Sequence, residues 1–173
     1  AHFEEGRLDW RGLEAVSELG FIESTGQLRA KPRRGSVELR AQIDDLSSIP
    51  FVPLQGGSLG VSTQLEWDAA AIAGRLDARA EGVLAGPTPR PISADLQVEA
   101  DDLVQARLRM RVPEGGEVEV SAQVAPPTPW TDGPAWLKWN RLRSANVKLD
   151  EISVAAWLED DANTDGRLNG EVR

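Results

Sequence analysis

Cysteine is absent from the 173-residue chain, and histidine occurs once, as His2. The first absence excludes disulfide frameworks, thiolate zinc sites and thiol catalysis. The second leaves almost no material for a Ser-His-Asp triad or a multi-histidine metal centre. Basic residues are too few for a nucleic-acid backbone as main partner: Lys plus Arg is 19 against 28 for Asp plus Glu, a net charge of -9. Long apolar runs are missing too. The longest, Ala69–Ala73 and Val154–Leu158, are five residues each, against roughly 20 for a membrane-spanning helix. No signal peptide is visible. The chain begins at Ala1 and ends on Gly170-Glu171-Val172-Arg173, which reads as mid-strand, so a fragment of a longer protein is expected.

Alternation is what the chain has in abundance. Ala106, Leu108, Met110 and Val112 fall on one face of an extended segment, and Arg107, Arg109 and Arg111 on the other. Period two is the signature of a half-buried strand. The same holds for Val118, Val120, Ala122 and Val124; for Ile92, Ala94, Leu96, Val98 and Ala100; and for Val37, Leu39, Ala41 and Ile43. It recurs in Leu59, Val61, Thr63, Leu65 and Trp67, and in Ile72, Gly74, Leu76, Ala78 and Ala80. These patterns predict strands near 25–30, 36–43, 58–67, 71–81, 92–100, 103–112, 117–124, 145–150 and 166–173. Pro113-Glu114-Gly115-Gly116 predicts a hairpin, and the proline-rich stretches 86–91 and 126–129 interrupt any ladder. The second of these also reads as a possible domain linker, against which stands the alternation that resumes beyond it. Leu13–Leu19 and Ile152–Leu158 are the candidate helical segments. One apolar and one polar face per strand points to antiparallel pairing.

A loose repeat runs through this pattern: strand, Asp, apolar knot, Gly-x-Leu, strand. It reads from Asp9 to Gly26, from Asp44 to Gly57 and from Asp150 to Gly166. Ile43-Asp44-Asp45-Leu46-Ser47 followed by Gly57-Ser58-Leu59-Gly60 resembles the texture of the AsmA-like family of bacterial envelope proteins, TamB type. Leu149-Asp150-Glu151-Ile152-Ser153 followed by Gly166-Arg167-Leu168-Asn169-Gly170 resembles it as well. The Trp-rich stretch 129–140 departs from it.

The resemblance implies an all-β fold: a curled, mainly antiparallel sheet forming an open apolar groove, with short helical or loop segments at the repeat corners. It implies a periplasmic position with an inner-membrane anchor outside this fragment, in the biogenesis of a Gram-negative outer membrane. It also implies hydrophobic cargo, either phospholipid acyl chains or outer-membrane protein strands, and an outer-membrane barrel partner of the TamA/BamA type. On this reading residues 1–173 are one β-groove unit. Its lining is expected to be Leu39, Ile43, Leu59, Val61, Leu65, Leu76, Leu96, Val98, Leu108, Met110, Val118 and Val120. No covalent chemistry and no cofactor is implied. The alternative is a surface-binding β-sandwich or β-solenoid adhesion module recognising carbohydrate or protein, its apolar face sealed inside; a carboxylate-dependent hydrolase is a third reading.

Other motifs weigh less. Asp161-Ala-Asn163-Thr-Asp165-Gly166 resembles the start of a calcium loop, but the twelfth position is Val172 rather than a carboxylate. A polar turn accounts for it better. The pairs Asp44/Asp45, Asp101/Asp102 and Asp160/Asp161 fall at strand ends or turns, where Asp caps backbone amides. Trp130, Trp136 and Trp139 suit a core plug, a groove lid or a sugar platform. The Arg107, Arg109 and Arg111 row is read as a solvated outer face, with attraction of anionic head groups as the alternative.

Overall fold

The computed structural model describes residues 1–49, 54–84, 90–136, 138–153 and 167–172. They form one antiparallel sheet of eleven strands whose spatial order is the sequence order. The strands are β1 (His2–Glu4), β2 (Arg7–Ser17), β3 (Gly20–Arg29), β4 (Arg34–Ile43), β5 (Ser58–Trp67) and β6 (Ile72–Val83). They continue with β7 (Ile92–Ala100), β8 (Val104–Val112), β9 (Gly116–Val124), β10 (Leu142–Ser153) and β11 (Arg167–Val172). Among the described residues helix is confined to one turn of α1 (Gly133–Trp136) and two 3₁₀ turns, Leu46–Ser48 and Trp139–Arg141. The sheet does not close: β1 and β11 are its edges.

Alternation carries the fold because every pairing keeps apolar residues on one side. Where a strand needs an extra residue, a bulge restores the phase. Arg11-Gly12 on β2 oppose a single residue of β3, and Glu81-Gly82 on β6 a single residue of β7; both glycines are left-handed, at φ 60 and 64. Asp150-Glu151 on β10 do the same against β11, where the Glu151 amide donates to Asn169 Oδ1 at 2.7 Å. The 113–116 turn forms the expected hairpin, with the Gly115 amide donating to the Val112 carbonyl at 2.9 Å. Gly116 is obligatory there: φ is 88, and a Cβ would lie 2.5 Å from the Asp150 carbonyl oxygen.

No second layer covers the sheet among the described residues. An open sheet of this width curls as strand twist accumulates. Along β4–β8 the apolar side chains are half-buried while most polar residues of the opposite face are exposed, the asymmetry that curvature toward the apolar side produces. Among the described residues full burial occurs only beyond mid-strand. Leu46, Val112 and Ile152 are buried at one end of the strands, and Pro127 and Ala135 at the other.

Several expectations are corrected. Leu13–Leu19 is not helical: β2 runs through it to Ser17. Asp9 sits within β2, so the first copy of the repeat is absent. In the second, Asp45 caps the 3₁₀ turn that buries Leu46, and Pro50 and Phe51 of its apolar knot lie outside the described residues. Ile152 and Ser153 are strand; the rest of that candidate helix lies outside the described residues, as do Asp160/Asp161, the calcium-like Asp161–Gly166 segment and prolines 87 and 89. The stretch 126–129 is no domain linker, since β9 and β10 on either side of it pair directly. The described residues form a single sheet, not the two packed sheets of a sandwich.

Candidate apolar groove

The twelve residues singled out as lining all fall on one face, in four rows that cross the strands. The first row contains Ile43, Leu59, Ala80, Ala94, Met110 and Val118, each opposite the next. The second contains Ala41, Val61, Ala78, Leu96, Leu108 and Val120, and the third Leu39, Thr63, Leu76, Val98, Ala106 and Ala122. Leu65 lies in the fourth, between Val37 and Gly74, with Ala100, Val104 and Val124 beyond. The expected lining held most of the bulky members but not Val37, Val104 and Val124, and none of the small ones. Gly74, Ala78, Ala80, Ala94 and Ala100 lower the floor along β6 and β7. It also passed over Leu8, Trp10, Leu13, Ile22 and Leu28, which continue the face across β2 and β3. Their signal is the same period two, once the Arg11-Gly12 bulge is allowed for.

The face offers little to a hydrogen-bonding partner. Thr63 Oγ1 donates to the Arg75 carbonyl at 3.0 Å, and Ser24 Oγ accepts from Trp10 Nε1 at 3.1 Å, so these two lining hydroxyls are engaged within the sheet. Two indoles lie over glycines of the adjacent strand: Trp10 over Gly26 and Trp67 over Gly35, where a Cβ would run into the ring. This packing lays the rings along the sheet.

One end of the strands carries a strap. Residues 125–141 leave β9 and return to β10, pinned at the base by Ala125 N–H to the Arg141 carbonyl at 2.9 Å and by Arg141 Nη1 to the Pro126 carbonyl at 2.9 Å. At its tip Trp130 Nε1 donates to the Asp68 carbonyl at 2.9 Å, and Trp136 Nε1 to the Trp130 carbonyl at 2.7 Å. Asp68 belongs to the β5–β6 turn, four strand intervals away, roughly 19 Å at about 4.8 Å each. The Ala71 and Ala70 amides donate to its carboxylate, fixing the turn and holding its pKa below the usual carboxylate value. The Trp stretch therefore closes over one set of strand ends.

The opposite face is charged and self-paired. Arg109 stands opposite Glu119 at 3.0 Å and reaches Glu117 at 2.9 Å; Arg111 reaches Glu117 at 2.7 Å, and Arg107 reaches Glu119 at 3.5 Å. Arg75 contacts Asp77 at 2.6 Å, and its hydrogen bond lowers the Asp77 pKa. Glu119 and then Glu117 raise that of Arg109. Such exposed pairs add little stability but keep this face hydrated. Asp45 is lowered by the Ser47 hydroxyl and amide, a capping role; Asp101 and Asp102 sit in the β7–β8 turn. Among the described residues no cluster of three or more His, Cys, Asp or Glu is arranged to hold a metal ion, and no helix is long and apolar enough to cross a membrane.

Comparison with protein-family models, with curated proteins and with solved structures returns no match for this chain.

Proposed function

We propose that the apolar face is a carrier groove for hydrophobic cargo, without covalent chemistry. The observation that carries this reading is a continuous apolar face, four rows deep, that no second layer of the described residues covers between the strand ends. Water against such a face is unfavourable by about 25 cal/mol per Å² of apolar surface, so an apolar occupant is stabilised there. The resemblance to AsmA-like envelope proteins extends the proposal. The cargo is then phospholipid acyl chains or outer-membrane protein strands crossing the periplasm, with an inner-membrane anchor elsewhere in the protein. A barrel protein of the TamA/BamA type would receive it.

The test uses the two faces of one strand. Leu96 is half-buried in the second row, and Gln97 is exposed on the charged face. A photo-crosslinking residue at position 96 is expected to capture lipid or apolar peptide in cells, and one at 97 is not. Equal capture at both positions would sink the proposal.

A further inference from the structure

The acidic chain holds one concentrated block of positive charge. Arg29-Ala30-Lys31-Pro32-Arg33-Arg34 carries four of its 19 basic residues in six positions. The block forms the β3–β4 turn, at the same end of the strands as the strap. Arg29 and Arg34 are direct cross-strand partners, and Arg7 stands opposite Arg29 on the other side. Arg7 is neutralised by Asp9, at 2.6 Å. Arg29, Lys31, Arg33 and Arg34 have no ion pair or side-chain hydrogen bond among the described residues. Like charges placed directly opposite destabilise a sheet. The rest of the polar face shows how such a cost is avoided, since Arg109 and Arg111 each stand opposite a glutamate. At the β3–β4 turn that solution is missing.

The two unpaired arginines border a cavity of ≈ 510 Å³. Gln27 and Ser36 add neutral donors to its wall, and Trp67, whose strand also lines the groove, adds an aromatic one. Two carboxylates share the lining. That of Asp68 is occupied by the Ala70 and Ala71 amides. That of Glu66 pairs with neither arginine, so it opposes an anion without cancelling the guanidinium donors. Guanidinium forks match the oxygens of phosphate in a bidentate way.

We propose that the β3–β4 turn is an anion site that takes a phosphate group through Arg29 and Arg34. Arg29 and Arg34 lie on the polar face at the ends of their strands, and of the cavity lining Trp67 belongs to the apolar face. Resting on the groove reading, the phosphate is the head of an amphipathic ligand whose apolar part passes over the strand ends at Trp67 onto the apolar face. The charge repulsion left in the empty site is relieved when the anion binds.

Three probes separate the parts: dioctanoyl phosphatidic acid, octyl glucoside as a neutral amphiphile, and inorganic phosphate, each below micelle formation and measured by calorimetry. The wild type is expected to bind phosphatidic acid at least about tenfold more tightly than octyl glucoside, as charge-assisted hydrogen bonds allow. The double variant Arg29→Gln/Arg34→Gln is expected to lose that advantage and keep its octyl glucoside affinity. Its melting temperature should hold or rise, because repulsion has been removed; a merely structural pair would lower it. Glu66→Gln should tighten phosphatidic acid binding. Inorganic phosphate binding as well as the lipid would assign the site to free phosphate and keep its chemistry. If octyl glucoside fails to bind while phosphate still does, the groove reading falls and the anion site stands. A double variant that binds phosphatidic acid like the wild type overturns the proposal.

Discussion

The central strands β4–β9 and the N-terminal hairpin β2–β3 belong to one sheet but treat their faces differently. In the centre one face is aliphatic and half-buried, and the other is a lattice of arginine and glutamate. At the hairpin tip apolar residues occupy both faces: Leu13 and Ile22 on the groove side, Val16 opposite Phe21 on the outer side. They are also far more exposed, Val16 at 71% and Phe21 at 41%. Amphipathicity is thus set region by region, and burial in this molecule depends on position along the strands as much as on residue type.

That contrast can be broken most severely at the strand ends. Val112 is 1% exposed, whereas its neighbour on the same face two rows away, Leu108, is half-buried in the open lining. Val112→Asp places an unpaired charge where it costs several kcal/mol, a large part of the roughly 5–15 kcal/mol that holds a domain together. Loss of the cooperative thermal transition is expected. Leu108→Arg can extend along the groove and put its head group in water. It should keep the β circular-dichroism signal with a modest fall in melting temperature, while binding of an apolar probe drops. Collapse of Leu108→Arg would mean that the middle of the sheet is as sealed as its end.

A smaller effect is expected at the strap. Trp130→Phe keeps an aromatic ring but removes the N–H that reaches the Asp68 carbonyl. One hydrogen bond is worth about 1 kcal/mol, so the melting temperature should fall slightly. Proteolysis within 125–141 should quicken, as judged by limited digestion. Unchanged digestion would show that the strap is held without the bond to Asp68, by its base and by packing at Pro127 and Ala135. The smallest effect belongs to the hairpin: Val16→Thr should shift stability by no more than about 0.5 kcal/mol, because the side chain is already largely in water. A clear loss would reveal that this outer apolar pair is covered.

The centre of the sheet was legible because its polar and apolar residues alternate without interruption. Strands at 36–43, 58–67 and 92–100 needed no tertiary information, and the twelve lining residues share a face for that reason. The hairpin was not legible, for two physical reasons. The Arg11-Gly12 bulge switches the inward set from Leu8 and Trp10 to Leu13 and Ala15, so the phase breaks inside β2. Leu13, Val16 and Leu19 then stand three apart, a spacing that mimics one face of a helix. The unpaired arginines of the β3–β4 turn were invisible for another reason. Charge in a turn is ordinary, and only the register reveals that Arg29 faces Arg34.

The order of the strands has a consequence for how the molecule comes together. Every pair of strands in substantial contact is a pair of sequence neighbours, from β1·β2 to β10·β11. Such a sheet is nearly one-dimensional, and its stability approximates a sum over adjacent ladders, as in stacked repeat proteins. Few distant segments must meet, so the entropy of loop closure is met in small steps and assembly can propagate from any hairpin. The same arrangement frays from its two edges inward. It also lets a hairpin be gained or lost with the phase of the remaining strands intact, so the width of the apolar surface can vary while its chemistry stays the same.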